Sequence, residues 1–254
     1  MRIKKPHLRP IVITLSVGGI LLTSVFMIVV IMFFQRENIE KDLLDANSSY
    51  AMKMSDVMSN YIEMAQSELS YGAKKIESTN DIDSLKNEAD RLRLQSGMFN
   101  SVLVVSNGAV VLATSPESLG LVGVHLNSSA SKLAVEGKKP FISAPYKSAA
   151  GNLIILLSHP IYDKSGNYIG YVGGSIYLKK HSLFSDVLSR HFFKSDTEVS
   201  IVSDDGDVIF DNDKSAVGRP MVLADDLKSK LISAERGRGP SFLRGISIFL
   251  VMLI

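Results

Sequence analysis

Apolar and polar positions fall into three successive regimes along the chain. Residues 11–34 form an unbroken stretch without a single charge. As a helix rising about 1.5 Å per residue it spans roughly 36 Å, more than a hydrocarbon core of about 30 Å requires. A buried helix of this length would normally carry a polar face. A signal peptide has a shorter apolar core followed by small residues, whereas this run ends in Met32-Phe33-Phe34-Gln35-Arg36. The pattern predicts an uncleaved transmembrane helix over 11–34.

From residue 36 to 76 the chain has no proline and one glycine, Gly72. Apolar residues recur every three or four positions, at Ile39, Leu43, Ala46, Tyr50, Met54, Val57, Tyr61, Met64 and Ile76. That spacing predicts a long amphipathic stalk helix. Its stripe can pack on the domain it leads into or on the same helix of a second copy. Asp81, Asp83 and Ser84 offer N-caps for a second short helix reaching about Gln95.

Past Met98 the period becomes two. Segments 102–106 and 109–114 flank Asn107-Gly108, which predicts a β-hairpin with a type I′ turn. A short helix is expected over 129–136, ending at Gly137. Strands are expected at 141–144, 153–161 and 168–178, and a helix at 179–193. The hairpin pattern then recurs, with Val199-Ser200-Ile201-Val202-Ser203-Asp204-Asp205-Gly206-Asp207-Val208-Ile209 paralleling the segment from Val102, Gly108 and Gly206 lying 98 residues apart. One duplication suggests two related α+β modules in tandem. A helix at 223–235 and one strand within 242–254 would complete what the chain holds of the second, which on this reading is incomplete.

Charge refines the picture. Residues 1–10 contribute +4 through Arg2, Lys4, Lys5 and Arg9, so the other residues together sum to −2 and the overall +2 comes from the tail. A basic surface for nucleic acid is therefore not indicated, and basic residues ahead of an apolar run orient the N-terminus to the cytoplasm. The chain has no cysteine, which excludes disulfides and thiolate metal sites.

The motifs Lys139-Pro140-Phe141-Ile142-Ser143-Ala144-Pro145-Tyr146, Leu157-Ser158-His159-Pro160-Ile161-Tyr162-Asp163 and Tyr168-Ile169-Gly170-Tyr171-Val172-Gly173-Gly174-Ser175-Ile176-Tyr177 resemble the double Cache family of extracytoplasmic sensor regions. The resemblance covers roughly residues 36–235. It implies an α+β protein in which a membrane helix and stalk precede two PAS-like antiparallel-sheet modules. It divides the chain into a cytoplasmic tail (1–10), transmembrane helix (11–34), stalk and second helix (35–97), membrane-distal module (98–195) and truncated membrane-proximal module (196–254). The style of the modules looks like that of membrane-bound diguanylate cyclases, with chemoreceptors and sensor kinases as close competitors. A cyclase signature, a kinase segment and a chemoreceptor hairpin are all missing, so the expectation is a truncated relative without enzymatic activity. It would sit in the bacterial inner membrane with its body outside.

A PAS-like module would enclose a small extracytoplasmic ligand. Candidate lining residues are Tyr146, Ser158, Tyr162, Ser175 and Tyr177; for each tyrosine, structural packing is an equal alternative. Segment 129–137 has no Arg or aromatic residue where amino-acid-sensing members carry them, which weighs against an amine-and-carboxylate ligand. No cofactor or metal is expected. The acids Asp204, Asp205, Asp207, Asp211 and Asp213 lack a calcium-loop pattern and read as turn chemistry. Ser158-His159 with Asp163 has no nucleophile elbow, and neighbouring strand residues point to opposite faces. Gly170, Gly173 and Gly174 read as places of close approach within a strand. The competing function is a non-signalling fragment that pairs with intact receptors through the stalk.

Overall fold

The computed structural model describes residues 8–77, 81–191, 198–202, 206–211, 213–221 and 249–253. The elements are α1 (Leu8–Ile76), α2 (Ile82–Ser96), β1 (Ser101–Ser106), β2 (Val111–Ser115), α3 (Ser129–Gly137), β3 (Phe141–Ile142), β4 (Tyr146–Lys147), β5 (Leu153–Tyr162), β6 (Tyr168–Tyr177), α4 (Leu183–His191), β7 (Glu198–Val202), β8 (Val208–Asp211) and β9 (Phe249–Leu253). The expected helix at 223–235 lies outside the described residues. The chain divides into two compact units, Met1–Tyr50 and Ala51–Ile254.

In the first unit α1 carries the apolar segment Val12–Phe33, with a mean hydropathy of 2.5 and none of it buried against protein. Thr23 hides its hydroxyl by donating to the carbonyls of Gly19 and Ile20 at 3.0 and 2.9 Å, so even this polar side chain suits an apolar surround.

In the second unit α1 buries Met58, Ile62, Ala65, Leu69, Ala73 and Ile76. Of the expected stripe, Tyr61 and Ile76 are buried, while Val57 and Met64 are 36% and 58% exposed. The helix is apolar over a wider arc than its packing partners cover, and the buried line runs one residue further on. In α2, Leu85, Glu88, Ala89 and Leu92 face inward. Asp81 caps it, accepting from the Ser84 amide at 3.1 Å, and Gly97 closes it in the left-handed conformation.

The first sheet is antiparallel with order β2-β1-β6-β5-β3, β4 also pairing with β5. Cross-strand register sorts its side chains onto two faces. Val104, Val172 and His159 form one row, and Val102, Gly174 and Leu157 the next. This face meets the helices: Arg93 of α2 bonds Ser115, the partner of Val102. The other face holds Leu103, Val105, Val111, Leu121, Leu126, Ala134 and Tyr171 in one apolar cluster. The strand glycines allow close approach, as expected. A Cβ on Gly174 would lie 2.2 Å from the Phe99 ring, and one on Gly170 would lie 2.0 Å from the Val105 carbonyl.

The second sheet has order β8-β7-β9, also antiparallel. Its hairpin repeats the first in detail. Val105 shifts register to Val111 and Val202 shifts to Val208. In each case the following loop returns to the second strand: Gly123 donates to Val111 and Gly218 to Val208, at 2.9 and 2.8 Å. The turn itself differs from the expected type I′. The Ala109 amide donates to Ser106 at 3.0 Å, and Ala109 rather than Gly108 takes positive φ. This is a three-residue loop closed by a left-handed residue. Gly206, also at positive φ, is therefore the counterpart of Ala109. The strand expected at 141–144 is shorter, and β4 after it escaped the sequence pattern because two residues carry no period.

Candidate functional site

A cavity of about 380 Å³ opens on the sheet face opposite α2. Its floor is made by residues two apart on three adjacent strands: Ser101 and Leu103 of β1, Tyr171, Ser175 and Tyr177 of β6, and Ile154 and Leu156 of β5. The period of two places all of them on one side. The walls are the loop after β2, with Leu119, Leu121, His125 and Asn127, and β4 with the turn that follows it, Tyr146 through Ala150. That turn is tied by backbone bonds from Ser148 to Asn152 and from Gly151 to Ser148, both 2.8 Å.

The polar groups around this space are mostly hydroxyls. Ser128 caps α3, accepting from the Ser131 amide at 3.2 Å, and its hydroxyl also bonds Tyr146. Ser131 in turn pairs with the Tyr171 hydroxyl at 3.0 Å. Burial raises the pKa of Tyr171 and of Tyr146, the hydrogen bonds to Ser131 and Ser128 opposing it only in part. Both phenols therefore stay protonated. His125 pairs with Asn127 at 2.9 Å. Lys147 and His125 are the only basic side chains in the lining, and no Asp or Glu belongs to it among the described residues. The arrangement suits binding by hydroxyl groups and apolar contact.

Of the residues expected to line a pocket, Tyr146, Ser175 and Tyr177 do so. Ser158 and Tyr162 do not, and their placement is corrected. Ser158 lies on the same face, but two residues beyond Leu156, paired between Phe141 and Gly173. It is 1% exposed, and its hydroxyl has no hydrogen-bond partner. Tyr162 sits at the far end of β5, donates to the Lys138 carbonyl at 2.7 Å, and stacks edge-on with Tyr168. Position 162 lies beyond the β5 register irregularity, where the strand leaves the cavity. Tyr171 was missed, although it shares parity with Ser175 and Tyr177 and alternation alone could have found it. The loop at 119–128 reaches the site by a long-range fold-back that no local pattern announces.

Ser158 and His159 point to opposite faces, in the rows of Gly173 and Val172 respectively, so they form no catalytic pair. Asp211 and Asp213 accept backbone amides of Asp213 and Ser215 at 2.7 and 2.8 Å, as turn carboxylates do. Asp204 and Asp205 lie outside the described residues.

Residues 54–177 match the model of the family described as "HK/GC/Chemotaxis protein-like, sensor domain". No curated protein matches the chain in sequence. Among solved structures, an extracellular ligand-binding receptor from Desulfohalobium retbaense superposes with a TM-score of 0.64 at 18% identity, over 72% of this chain and 34% of the receptor. The chain thus spans about a third of that receptor's length. The ligand-binding domain of the Pseudomonas fluorescens chemoreceptor CtaA, in complex with L-valine, gives 0.56 at 18% identity over 71% of this chain and 80% of that one. That of the Pseudomonas aeruginosa amino-acid chemoreceptor PctC, in complex with GABA, gives 0.51 at 13% identity over 68% and 77%. These matches are to sensor and ligand-binding domains, and none is to a catalytic domain. The second unit therefore has the antiparallel-sheet fold of extracellular chemoreceptor ligand-binding domains, and its first sheet with the preceding helices carries the sensor-domain match.

Proposed function

We propose that this chain is a membrane-anchored sensory region that binds a small extracytoplasmic molecule in the cavity on the first sheet. The observation that carries this reading is the cavity itself. It lies within the sensor-domain match, is floored by three strands, and offers hydroxyls without a carboxylate. An ammonium group entering it would meet no counter-charge from a side chain, whereas a hydroxyl or a single carboxylate would find Tyr146, Ser175 and Lys147. The favoured ligand is thus a small neutral molecule or monocarboxylate without an amine, unlike the L-valine and GABA of the two chemoreceptor domains. The basic tail supports a cytoplasmic N-terminus and an inner-membrane anchor. The repeated hairpins support modules at 98–195 and 196–254. A diguanylate cyclase output domain is the finer reading, resting on the resemblance of the modules alone.

Val57, Met64 and Tyr71 are exposed one heptad apart on α1. They support pairing of two copies in the membrane, the arrangement in which a ligand can bias helix positions.

Thermal-shift screening of the full chain in detergent, with amino acids, hydroxy acids, monocarboxylates and sugars, tests the reading. A saturable ligand is expected from the amine-free classes. It should be lost in Ser175→Leu, which plugs the floor, and weakened in Tyr146→Phe. A ligand that binds both variants as it binds the parent would place its site elsewhere. Binding confined to amino acids would overturn the amine-free assignment.

A further inference from the structure

A second cavity, of about 470 Å³, lies where the two sheets of the second unit meet. Its charged side chains are Lys147, Lys179, Lys180 and Arg219, and among the described residues no Asp or Glu lines it. We propose that this cleft binds a small multivalent anion, of the phosphate or polycarboxylate class.

The cleft is built by backbone, and its charges come from three separate elements. Lys147 ends β4. Lys179 and Lys180 follow β6, where the Leu178 amide bonds the Leu153 carbonyl at 3.0 Å and fixes the exit of the strand. Arg219 belongs to the loop after β8 and is held on both sides. Its carbonyl accepts from Val208 at 2.9 Å and its amide donates to Ala216 at 3.1 Å. Gly218, at φ +80°, brings this loop against the first sheet: a Cβ there would lie 2.5 Å from Leu153 Cδ2. No side chain but glycine fits both that conformation and that approach, so Arg219 is delivered to the three lysines by design of the loop.

None of these four cations has a carboxylate within ion-pair distance among the described residues. Lys180 lies over the Tyr177 ring at 5.5 Å, and Arg219 acts on Asp213 only weakly, behind the Ser215 hydrogen bonds that dominate that carboxylate. Four like charges around one concavity repel one another and focus a positive potential into it. An anion of two or more charges relieves that repulsion at several points at once, which chloride cannot. Asn152 adds a neutral donor. Lys147 and Tyr177 line both cavities, whereas Lys179, Lys180 and Arg219 belong to this cleft alone.

Isothermal titration of the full chain in a neutral detergent tests the proposal, with inorganic phosphate and citrate as probes and chloride at matched ionic strength as control. Saturable binding of phosphate or citrate, absent for chloride, is expected. Lys179→Gln with Arg219→Gln should weaken it about tenfold, about 1.4 kcal/mol, within what two exposed charge contacts of up to about 1 kcal/mol each supply to one anion. The charge-keeping variant Lys179→Arg with Arg219→Lys, with the parent's melting temperature, should keep binding within about threefold. Ser175→Leu, which touches only the first cavity, should bind as the parent. Absence of binding in the parent would overturn the site, and so would an equal response to chloride or unchanged affinity in the neutral variant. Protein that sediments with phosphatidylglycerol vesicles through these cations, yet ignores free phosphate and citrate, would assign the patch to lipid and refute the small-anion proposal.

Discussion

The two faces of the first sheet are made by alternate residues of the same strands, yet they have opposite characters. On the helix face, Val102, Val104, Ile155, Leu157, Val172 and Ile176 are at most 2% exposed, and the Phe99 ring fills the space left by Gly174. On the other face, Ser101, Ser175 and Tyr177 stand at the same strand depth but border an open cavity. A strand with period two can therefore carry stability on one set of alternate residues and recognition on the other. Substitutions a single position apart should separate the two.

The largest effect is expected at Gly174. Gly174→Val drives a branched side chain into the Phe99 ring and should destabilise by about 3 kcal/mol, read as a lower urea midpoint at unchanged slope. Its neighbour Ser175→Leu points into the cavity instead. There the added atoms meet free volume, so stability should change by less than about 1 kcal/mol while ligand binding is lost. Equal destabilisation by the two substitutions would erase the distinction between the faces.

The same alternation explains what could be read before the fold was known. The lengths of β5 and β6, the caps of α2 and the close-approach role of Gly170 and Gly174 follow from local pattern, and the structure agrees with them. Ser175 and Tyr177 were legible as residues of one face because strand parity is a short-range property, whereas Tyr146 comes from a strand too short to carry a period. Ser158 has the right parity but the wrong row, and row is set by partners far away in sequence. Tyr162 has the right parity too, but lies past the strand's irregular end. Which residues of the helical stripe pack within the chain was open for a related reason: α1 is apolar on more sides than it packs, and only the partners choose between Val57 and Met58. The hairpin turn shows the limit of a dipeptide rule, since Asn107-Gly108 is present but the bulge moves the left-handed position to Ala109.

A smaller effect sharpens the comparison from the helix side. Tyr61 is buried against the Phe184 ring, and its hydroxyl donates to the Met98 carbonyl at 2.8 Å. Tyr61→Phe keeps the ring and leaves that carbonyl unpaired, so a loss of about 1 kcal/mol is expected. Because Tyr61 is not among the residues lining the cavity, ligand affinity there should stay at the parent value. A change in affinity larger than the change in stability would mean that the faces are coupled.

The smallest effect concerns acid. His159 is the one titratable side chain in the row it shares with Val104 and Val172, half-buried on the helix face. Burial lowers its pKa below the ordinary 6.5, the Pro160 carbonyl opposes this, and the charge of Lys74 adds to it. The folded protein therefore holds His159 neutral where the unfolded chain would protonate it. Between the two pKa values the unfolded state binds more protons, so stability falls as pH drops below 6.5 and is unaffected above it. His159→Gln cannot titrate. Its melting temperature should decline less between about pH 7 and about pH 5 than the parent's does, with the curves parallel at higher pH. A steeper acid limb in the variant would reverse the sign and mean that protonated His159 stabilises the helix face.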